Sequence, residues 1–476
     1  MPINELPLQA LSAWRHLNDV NFCNVKVAPV DGRGTGIVAE RALSKTEETP
    51  DDGSLMTVPH DLILSSEMVE EYAKENNNFR ELFVAVGRKS DRENVLLFLL
   101  VQLAISSENH RAGTGISNPW TTYTRFLPPN PPIPTLWSDL ERACLKGTSL
   151  EHAVTAKLSA LSTEFNALKD SSSDLFSWFE LFWERGTVSS RDWLLVDALF
   201  RSRCLELSNG HSVMVPCVDM ANHSFKSPTA RFEWNQKGEL ALFLREGCTV
   251  PKGDEITINY GEKSAAEMLF SYGFIDQESA KDGLVLPLNP LPDDPLAKAK
   301  LFVFGKAPTV SISRDGQGNV HWLSPFAYLA SLNEEDGLEF RVLQETGGSQ
   351  HLKVFWGEAD VTEKPETFKT LIQDHSICEV FKLRAVSIVL DHIESQLAQL
   401  GGGVALEGLD PVPPLLRGEC IKAASELRDR ESRLLESALE VLNEERTQLL
   451  ANKNVVAYLG SMEATQNDDQ SEQTAN

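Results

Sequence analysis

Acid, amide, imidazole and hydroxyl groups fall within six positions at Asp219-Met220-Ala221-Asn222-His223-Ser224, just after the segment Val215-Pro216-Cys217-Val218. Several chemistries could draw on such a set. Asp219 and His223 stand at i, i+4, which puts two metal ligands on one helix face, yet no Glu or second His lies nearby to complete the site. Ser224 lacks the Gly-x-Ser-x-Gly elbow of a serine hydrolase. A buried Asn-His pair serves internal hydrogen bonding equally well. Downstream, Gly253-Asp254-Glu255-Ile256-Thr257-Ile258-Asn259-Tyr260-Gly261 reads as a strand ending on Tyr260, and a short helix from Ala266 leads to Tyr272-Gly273-Phe274. Two tyrosines alone fit core aromatics as readily as a site. Near the start of the chain, Gly32-Arg33-Gly34-Thr35-Gly36 enters a strand with glycines that permit positive φ and close approach of main chain to a ligand. It fails the dinucleotide fingerprint, because no Gly-x-Gly-x-x-Gly follows a full strand and opens a helix, so an ordinary turn is the simpler reading.

Those segments must be positioned by the elements around them. From Asn24 to Val58 short β-compatible runs, Val25-Lys26-Val27 and Gly36-Ile37-Val38-Ala39, alternate with glycines and a polar insert at Ser44 to Ser54. Helical periodicity takes over from Ser65 to Ile105 and again from Leu150 to Leu168, with the Pro-rich stretch Phe126 to Pro134 between them. Strand signals return at Val213 to Val215, Ala230 to Trp234, Leu240 to Leu244 and Glu255 to Tyr260, with Lys237-Gly238 as a hairpin turn. β segments therefore enclose a helical insert. Beyond about residue 275, Ser324 to Leu332, Glu366 to Leu371, Phe381 to Leu400 and Glu419 to Leu450 read as helices, and the tail from Thr465 as disordered. The leucine repeat of the last helix is a packing stripe.

At 476 residues the chain exceeds the size at which one core stops growing, so two domains are expected. Its longest apolar stretch, Val95 to Ile105, is interrupted by Gln102 and is about half of the ~20 residues a bilayer span needs. The first residues lack the basic start and apolar core of a secretory signal, which implies a cytoplasmic or nuclear protein. The seven cysteines are odd in number and never form Cys-x-x-Cys, so neither a disulfide framework nor a cysteine zinc site is indicated. With 44 Lys and Arg against 69 Asp and Glu, the net charge of −25 repels nucleic acid and anionic membranes and attracts a basic protein or peptide. The same balance serves solubility alone in many proteins.

Taken together and in order, the segments resemble the SET-domain methyltransferases, in the branch that includes the Rubisco large-subunit methyltransferase and its fungal and animal ribosomal-protein relatives. Asn222-His223-Ser224, Glu255 to Tyr260 and Tyr272-Gly273-Phe274 match its signatures. Asn118-Pro119-Trp120-Thr121-Thr122-Tyr123 through Leu127-Pro128, and Gly147-Thr148-Ser149-Leu150, are similar to patterns of its helical insert. The resemblance is strong over residues 10 to 275. It is weaker from about 290 to 460, where Leu427 to Leu435 looks like the family's substrate-binding domain.

The resemblance implies an α+β chain. A β-rich SET domain at 22–261 is split by a helical insert at about 62–190, a flank at 262–285 carries Tyr-Gly-Phe, and an all-α substrate-binding domain occupies 290–460. It implies S-adenosylmethionine as cofactor and no metal. Arg33, Gly34 and Thr35 would cradle the methionine end through main-chain groups, and Asn222 and His223 would hold the adenosine moiety. In the pair Ser202-Arg203 the arginine would meet the cofactor carboxylate. Asp219, Tyr260 and Tyr272 would line the channel for the target nitrogen, Tyr260 being the catalytic residue, with Ser202 also on the substrate side. No Cys-rich segment follows Phe274, unlike the zinc-closed histone branch.

Cys204-Leu205-Glu206-Leu207 departs from the Rubisco enzyme's pattern, so its substrate preference does not carry over. A lysine of a ribosomal or other basic protein is the expected target. Two rivals stand beside this. A related branch methylates a histidine, but lacks the tyrosine that Tyr272 supplies here; a silent scaffold would have no need of Asn222, His223, Tyr260 and Tyr272 together.

Overall fold

A computed structural model describes residues 5–45, 53–87, 90–107, 118–207, 210–278, 282–344, 350–402 and 416–461. The polar insert lies largely, and the tail from Thr465 entirely, outside the described residues. The chain divides into two compact units, the first of residues 1–142, 150–280 and 414–423, the second of 143–149, 281–413 and 424–476.

In the first unit most of the expected strands form two four-stranded sheets, while Ser212–Met214, at the expected Val213 to Val215, pairs with Cys204–Glu206 in a separate two-stranded sheet. One orders Asn21–Phe22, Ser54–Val58, Leu240–Leu244 and Ala230–Trp234, all antiparallel. The hairpin between Ala230–Trp234 and Leu240–Leu244 turns at Lys237-Gly238, where Gly238 takes φ +75°. The other orders Val25–Val30, Gly34–Ala39, Glu255–Ile258 and Asn222–His223. Its last pair is parallel, aligning Thr257 with Asn222 and Ile258 with His223. That pairing brings the two signature segments side by side.

Between the strands at Val58 and Asn222 runs the helical insert. The periodicity of 65–105 resolves into Ser66–Glu75, Asn77–Val86 and Asp91–Ser106, each started by a side-chain cap from Ser65, Asn76 and Ser90. Asp91–Ser106 buries every residue from Asn94 to Ala104, so the apolar run Val95 to Ile105 is a central core helix. No helix among the described residues is long and apolar enough to cross a membrane. Helix Ser190–Arg203, begun by a Ser189–Asp192 capping box, carries Ser202 and Arg203.

The second unit corrects one expectation. The C-terminal domain is not all-α: Gly283–Pro287, Thr309–Arg314 and Val320–Leu323 form one antiparallel sheet, and Leu338–Gln344, Gln350–Trp356 and Ala359–Asp360 another. Val310 and Ile312 face the core while Ser311 and Ser313 alternate away, a period of two that a helix could not accommodate. The helices Pro325–Ala330, Phe368–Leu371, Cys378–Gly401 and Gly418–Leu450 match the expected segments to within a few residues. Residues 143–149 belong to this unit, and Glu431 there accepts hydrogen bonds from the Ser149 N–H at 2.9 Å and from the Ser149 hydroxyl. The Gly-Thr-Ser and Leu427 to Leu435 patterns thus meet directly.

Candidate active site

The glycine-rich segment is the turn of the hairpin between Val25–Val30 and Gly34–Ala39, closed by the Arg33 N–H on the Val30 carbonyl at 3.0 Å. Gly32 and Gly34 have φ of +70° and +75°, and a Cβ at either would meet no atom within 4 Å, so this main chain is open on that side. Gly36 is the opposite case. A Cβ there would stand 2.6 Å from Glu255 Oε1 and 3.0 Å from Asn222 Nδ2. The segment is thus a hairpin turn whose main chain is open at Gly32 and Gly34 and crowded at Gly36.

Glu255 joins the parts. Its Oε2 accepts from Arg33 Nη1 at 2.7 Å and its Oε1 from Asn222 Nδ2 at 2.6 Å. Asn222 Nδ2 also reaches the Thr35 carbonyl at 3.3 Å, and Arg33 Nη2 donates to the His223 carbonyl. Arg33, Thr35, Asn222 and His223 are thus one hydrogen-bonded group, organised by a carboxylate that the sequence alone places in a strand.

His223 is buried and its ring is fixed at both nitrogens. Nδ1 accepts the Tyr260 N–H at 3.0 Å, so the neutral ring carries its proton on Nε2, which lies 3.2 Å from Asp276 Oδ2. Burial lowers its pKa, opposed by Asp276. The Tyr260 ring lies tilted beside it at 5.0 Å between ring centroids, and Tyr272 lies 4.6 Å from Tyr260. The Tyr260 hydroxyl donates to the Ala221 carbonyl at 2.7 Å. Burial pushes its pKa up to about 12 and raises that of Tyr272 as well, so both phenols stay protonated at neutral pH.

Tyr272 ends the helix Ala265–Tyr272, which starts at a Ser264–Glu267 capping box and stops at Gly273 in the left-handed region. A Cβ on Gly273 would stand 2.8 Å from the Pro132 carbonyl oxygen, so the insert packs against this corner. Phe274 continues the aromatic row, 6.3 Å from Tyr272.

Arg203 and Asp219 are brought together, while the Ser202 side chain is engaged only within its own helix. The Ser202 hydroxyl donates to the Ala198 carbonyl at 2.7 Å within its own helix. Arg203 Nη1 donates to the Asp219 carbonyl at 3.0 Å and lies 3.6 Å from its Oδ2. The Asp219 carboxylate is fully enclosed, with Oδ1 accepting the Tyr123 hydroxyl, and burial raises its pKa against the pull of Arg203 and Tyr123. It stands behind the site, not in an open wall. Sequence reasoning missed Glu255, Asp276 and Tyr123 as members of the group. Tyr123 and Glu255 each lay inside a matched pattern, the insert pattern beginning at Asn118 and the signature from Glu255 to Tyr260, whereas Asp276 lay in none.

Among the described residues no group of three or more His, Cys, Asp or Glu is arranged to hold a metal ion. The arrangement offers an open, glycine-lined main chain beside a carboxylate-tied amide and guanidinium, and next to it a protonated tyrosine in an aromatic row.

No family model matches the chain. Among curated proteins it is 29% identical over 416 residues, 86% of this chain and 89% of the relative, to SET domain-containing protein 8 of Schizosaccharomyces pombe. It is 25% identical to the chloroplastic fructose-bisphosphate aldolase-lysine N-methyltransferase of Arabidopsis thaliana, over 63% of this chain and 58% of that protein. It is 26% identical to the ribosomal lysine N-methyltransferase set10 of S. pombe, over 50% of this chain and 41% of that protein. Among solved structures, the SET domain of LSMT bound to methyl-lysine and AdoHcy aligns with a TM-score of 0.65 at 20% identity, covering 94% of this chain and 93% of that one. Rubisco LSMT bound to AdoMet aligns with a TM-score of 0.64, covering 93% of both. At that identity the likeness is one of fold.

Proposed function

We propose that this chain, a member of the SET-domain lysine-methyltransferase family, transfers the methyl group of S-adenosylmethionine to the side-chain nitrogen of a lysine in a protein. The observation that carries the reading is the joining of Arg33, Thr35, Asn222 and His223 through Glu255, with Tyr260 held directly beside them.

These residues fit the cofactor. The methionine end is assigned to the main chain at Arg33, Gly34 and Thr35, where the space beside Gly32 and Gly34 is open, and the adenosine to Asn222 and His223. Arg203 is the cation assigned to its carboxylate. When bound, S-adenosylmethionine supplies a methyl made electrophilic by a sulfonium. The chain's own task is to present a neutral amine in line and to keep water away. Tyr260, protonated and anchored on the Ala221 carbonyl, orients the nitrogen through its hydroxyl oxygen. Tyr272 walls the channel, and desolvation among these rings lowers the pKa of an entering lysine. Ser202 is assigned to the substrate side through its main chain, its hydroxyl being used within the helix. The second unit is assigned to substrate binding.

The substrate is a basic segment, drawn by a chain of net charge −25, and a ribosomal protein is the leading candidate. The same charge disfavours nucleic acid, and the place of action is the cytoplasm or nucleus. The test incubates purified protein and labelled S-adenosylmethionine with lysate from cells lacking it, followed by mass spectrometry of the labelled band. A methylated lysine is expected, unaffected by a strong chelator. Label on histidine alone, or none, would contradict the reading.

A further inference from the structure

Tyr123 belongs to the insert, far in sequence from the residues so far assigned to the site, yet its hydroxyl is shared between two atoms behind that site. It accepts the Cys217 N–H at 2.7 Å and donates to Asp219 Oδ1. The ring is fully buried and clamped, 4.9 Å from Trp14 and 5.2 Å from Trp120 between centroids. Those indoles are themselves tied, Trp14 to the Pro119 carbonyl and Trp120 to the Leu62 carbonyl, each at 3.0 Å. The phenol oxygen therefore has little freedom.

What it grips is strained. Cys217 has φ of +69°, costly for a residue with a side chain, and its thiol is buried. The turn continues through Val218–Met220 to Ala221, whose carbonyl receives the Tyr260 hydroxyl. Asp219 in the same turn engages Arg203 through both its carbonyl and its carboxylate. One hydroxyl thus bears on a main-chain turn and on a carboxylate, which lead respectively to Tyr260 and to Arg203.

We propose that Tyr123 is a positioning residue for methyl transfer, acting through Asp219 and the Cys217 turn to hold Arg203 and the carbonyl that anchors Tyr260. The inference rests on the methyltransferase reading above and adds to it a control point in the insert. A residue acting this way affects the turnover rate and leaves protein-substrate affinity unchanged, because it touches neither substrate.

The experiment compares wild type, Tyr123→Phe, Asp219→Asn and the double variant in methyl transfer with a lysine-containing protein substrate, each rate normalised to the folded fraction. Tyr123→Phe should lower kcat about ten-fold, the order expected for one hydrogen bond to a charged group, with the protein KM unchanged. Asp219→Asn should also lower kcat, and the double variant should be slower than either single variant yet fall short of the product of their losses, since both lose the Tyr123–Asp219 bond while only Tyr123→Phe also frees the Cys217 N–H. Fully multiplicative losses would overturn the proposal, as would wild-type kcat in folded Tyr123→Phe. Should Tyr123→Phe fail to fold, wild-type kcat in Asp219→Asn overturns it independently. Absence of methyl transfer by the wild type would instead sink the underlying functional reading.

Discussion

The Ala221 carbonyl accepts the Tyr260 hydroxyl at 2.7 Å, while the Tyr260 N–H is held by His223 Nδ1 at 3.0 Å. One residue of the C-terminal signature is therefore fastened at both its main chain and its phenol to the Ala-Asn-His segment. Neither contact could survive a slip in the parallel register of Asn222–His223 against Glu255–Ile258.

Gly36→Ala is expected to loosen the cofactor side of the site. The new methyl would press on Glu255 Oε1, Val30 Cγ2 and Asn222 Nδ2, all within 3.0 Å. Overpacking of this kind costs about 1–3 kcal/mol. Urea unfolding should show that loss, and calorimetry should show weaker S-adenosylmethionine binding.

Asn222→Ala removes the donor to Glu255 Oε1 and to the Thr35 carbonyl. A cost of about 1 kcal/mol in unfolding free energy and a drop in cofactor affinity are expected. Unchanged affinity by isothermal titration, with the fold intact, would show that this amide has no part in binding.

His223 gives a pH dependence whose sign follows from its lowered pKa. Because the folded ring resists protonation more than the unfolded one, with its ordinary value of 6.5, its contribution is complete above that pH and is lost as pH falls through the folded value. The melting temperature of wild type should therefore fall more steeply below pH 6.5 than that of His223→Gln. Parallel curves would mean that the ring is not buried as described.

Tyr272→Phe should change product distribution more than rate. Its ring stays 4.6 Å from Tyr260, while the channel around the nitrogen loses one hydroxyl. Intact-mass analysis of a lysine-containing substrate should show an altered number of methyl groups with turnover within several-fold of wild type. A collapse in rate equal to that of Tyr260→Phe would contradict the separate roles given to the two tyrosines.

Much of this molecule was legible in its residues, and the gaps have physical causes. Helices Cys378–Gly401 and Gly418–Leu450 are long enough for periodicity to declare them. Strand Gly283–Pro287 hid because Leu284 and Leu286 point inward while Val285, also apolar, is exposed, so burial alternates where residue type does not. Thr309–Arg314 alternates openly, but it lies among helical segments that drew the reading toward an all-α domain. At the site, the glycine turn and Asn222-His223 announced themselves through local type. Glu255 did not, since its partner Arg33 is 222 positions away and only strand pairing makes them neighbours. The inward turn of the Asp219 carboxylate likewise depends on Tyr123, which is 96 positions distant.

The most direct measurement is single-turnover methyl transfer by Tyr260→Phe, which keeps the ring beside His223 and Tyr272 and removes only the hydroxyl bound to Ala221. If that hydroxyl aligns the amine and methyl, the rate should fall by about 10²- to 10³-fold, as for one preorganised hydrogen-bonding group, with cofactor affinity nearly unchanged. A folded Tyr260→Phe protein transferring methyl at the wild-type rate would contradict the account at its centre.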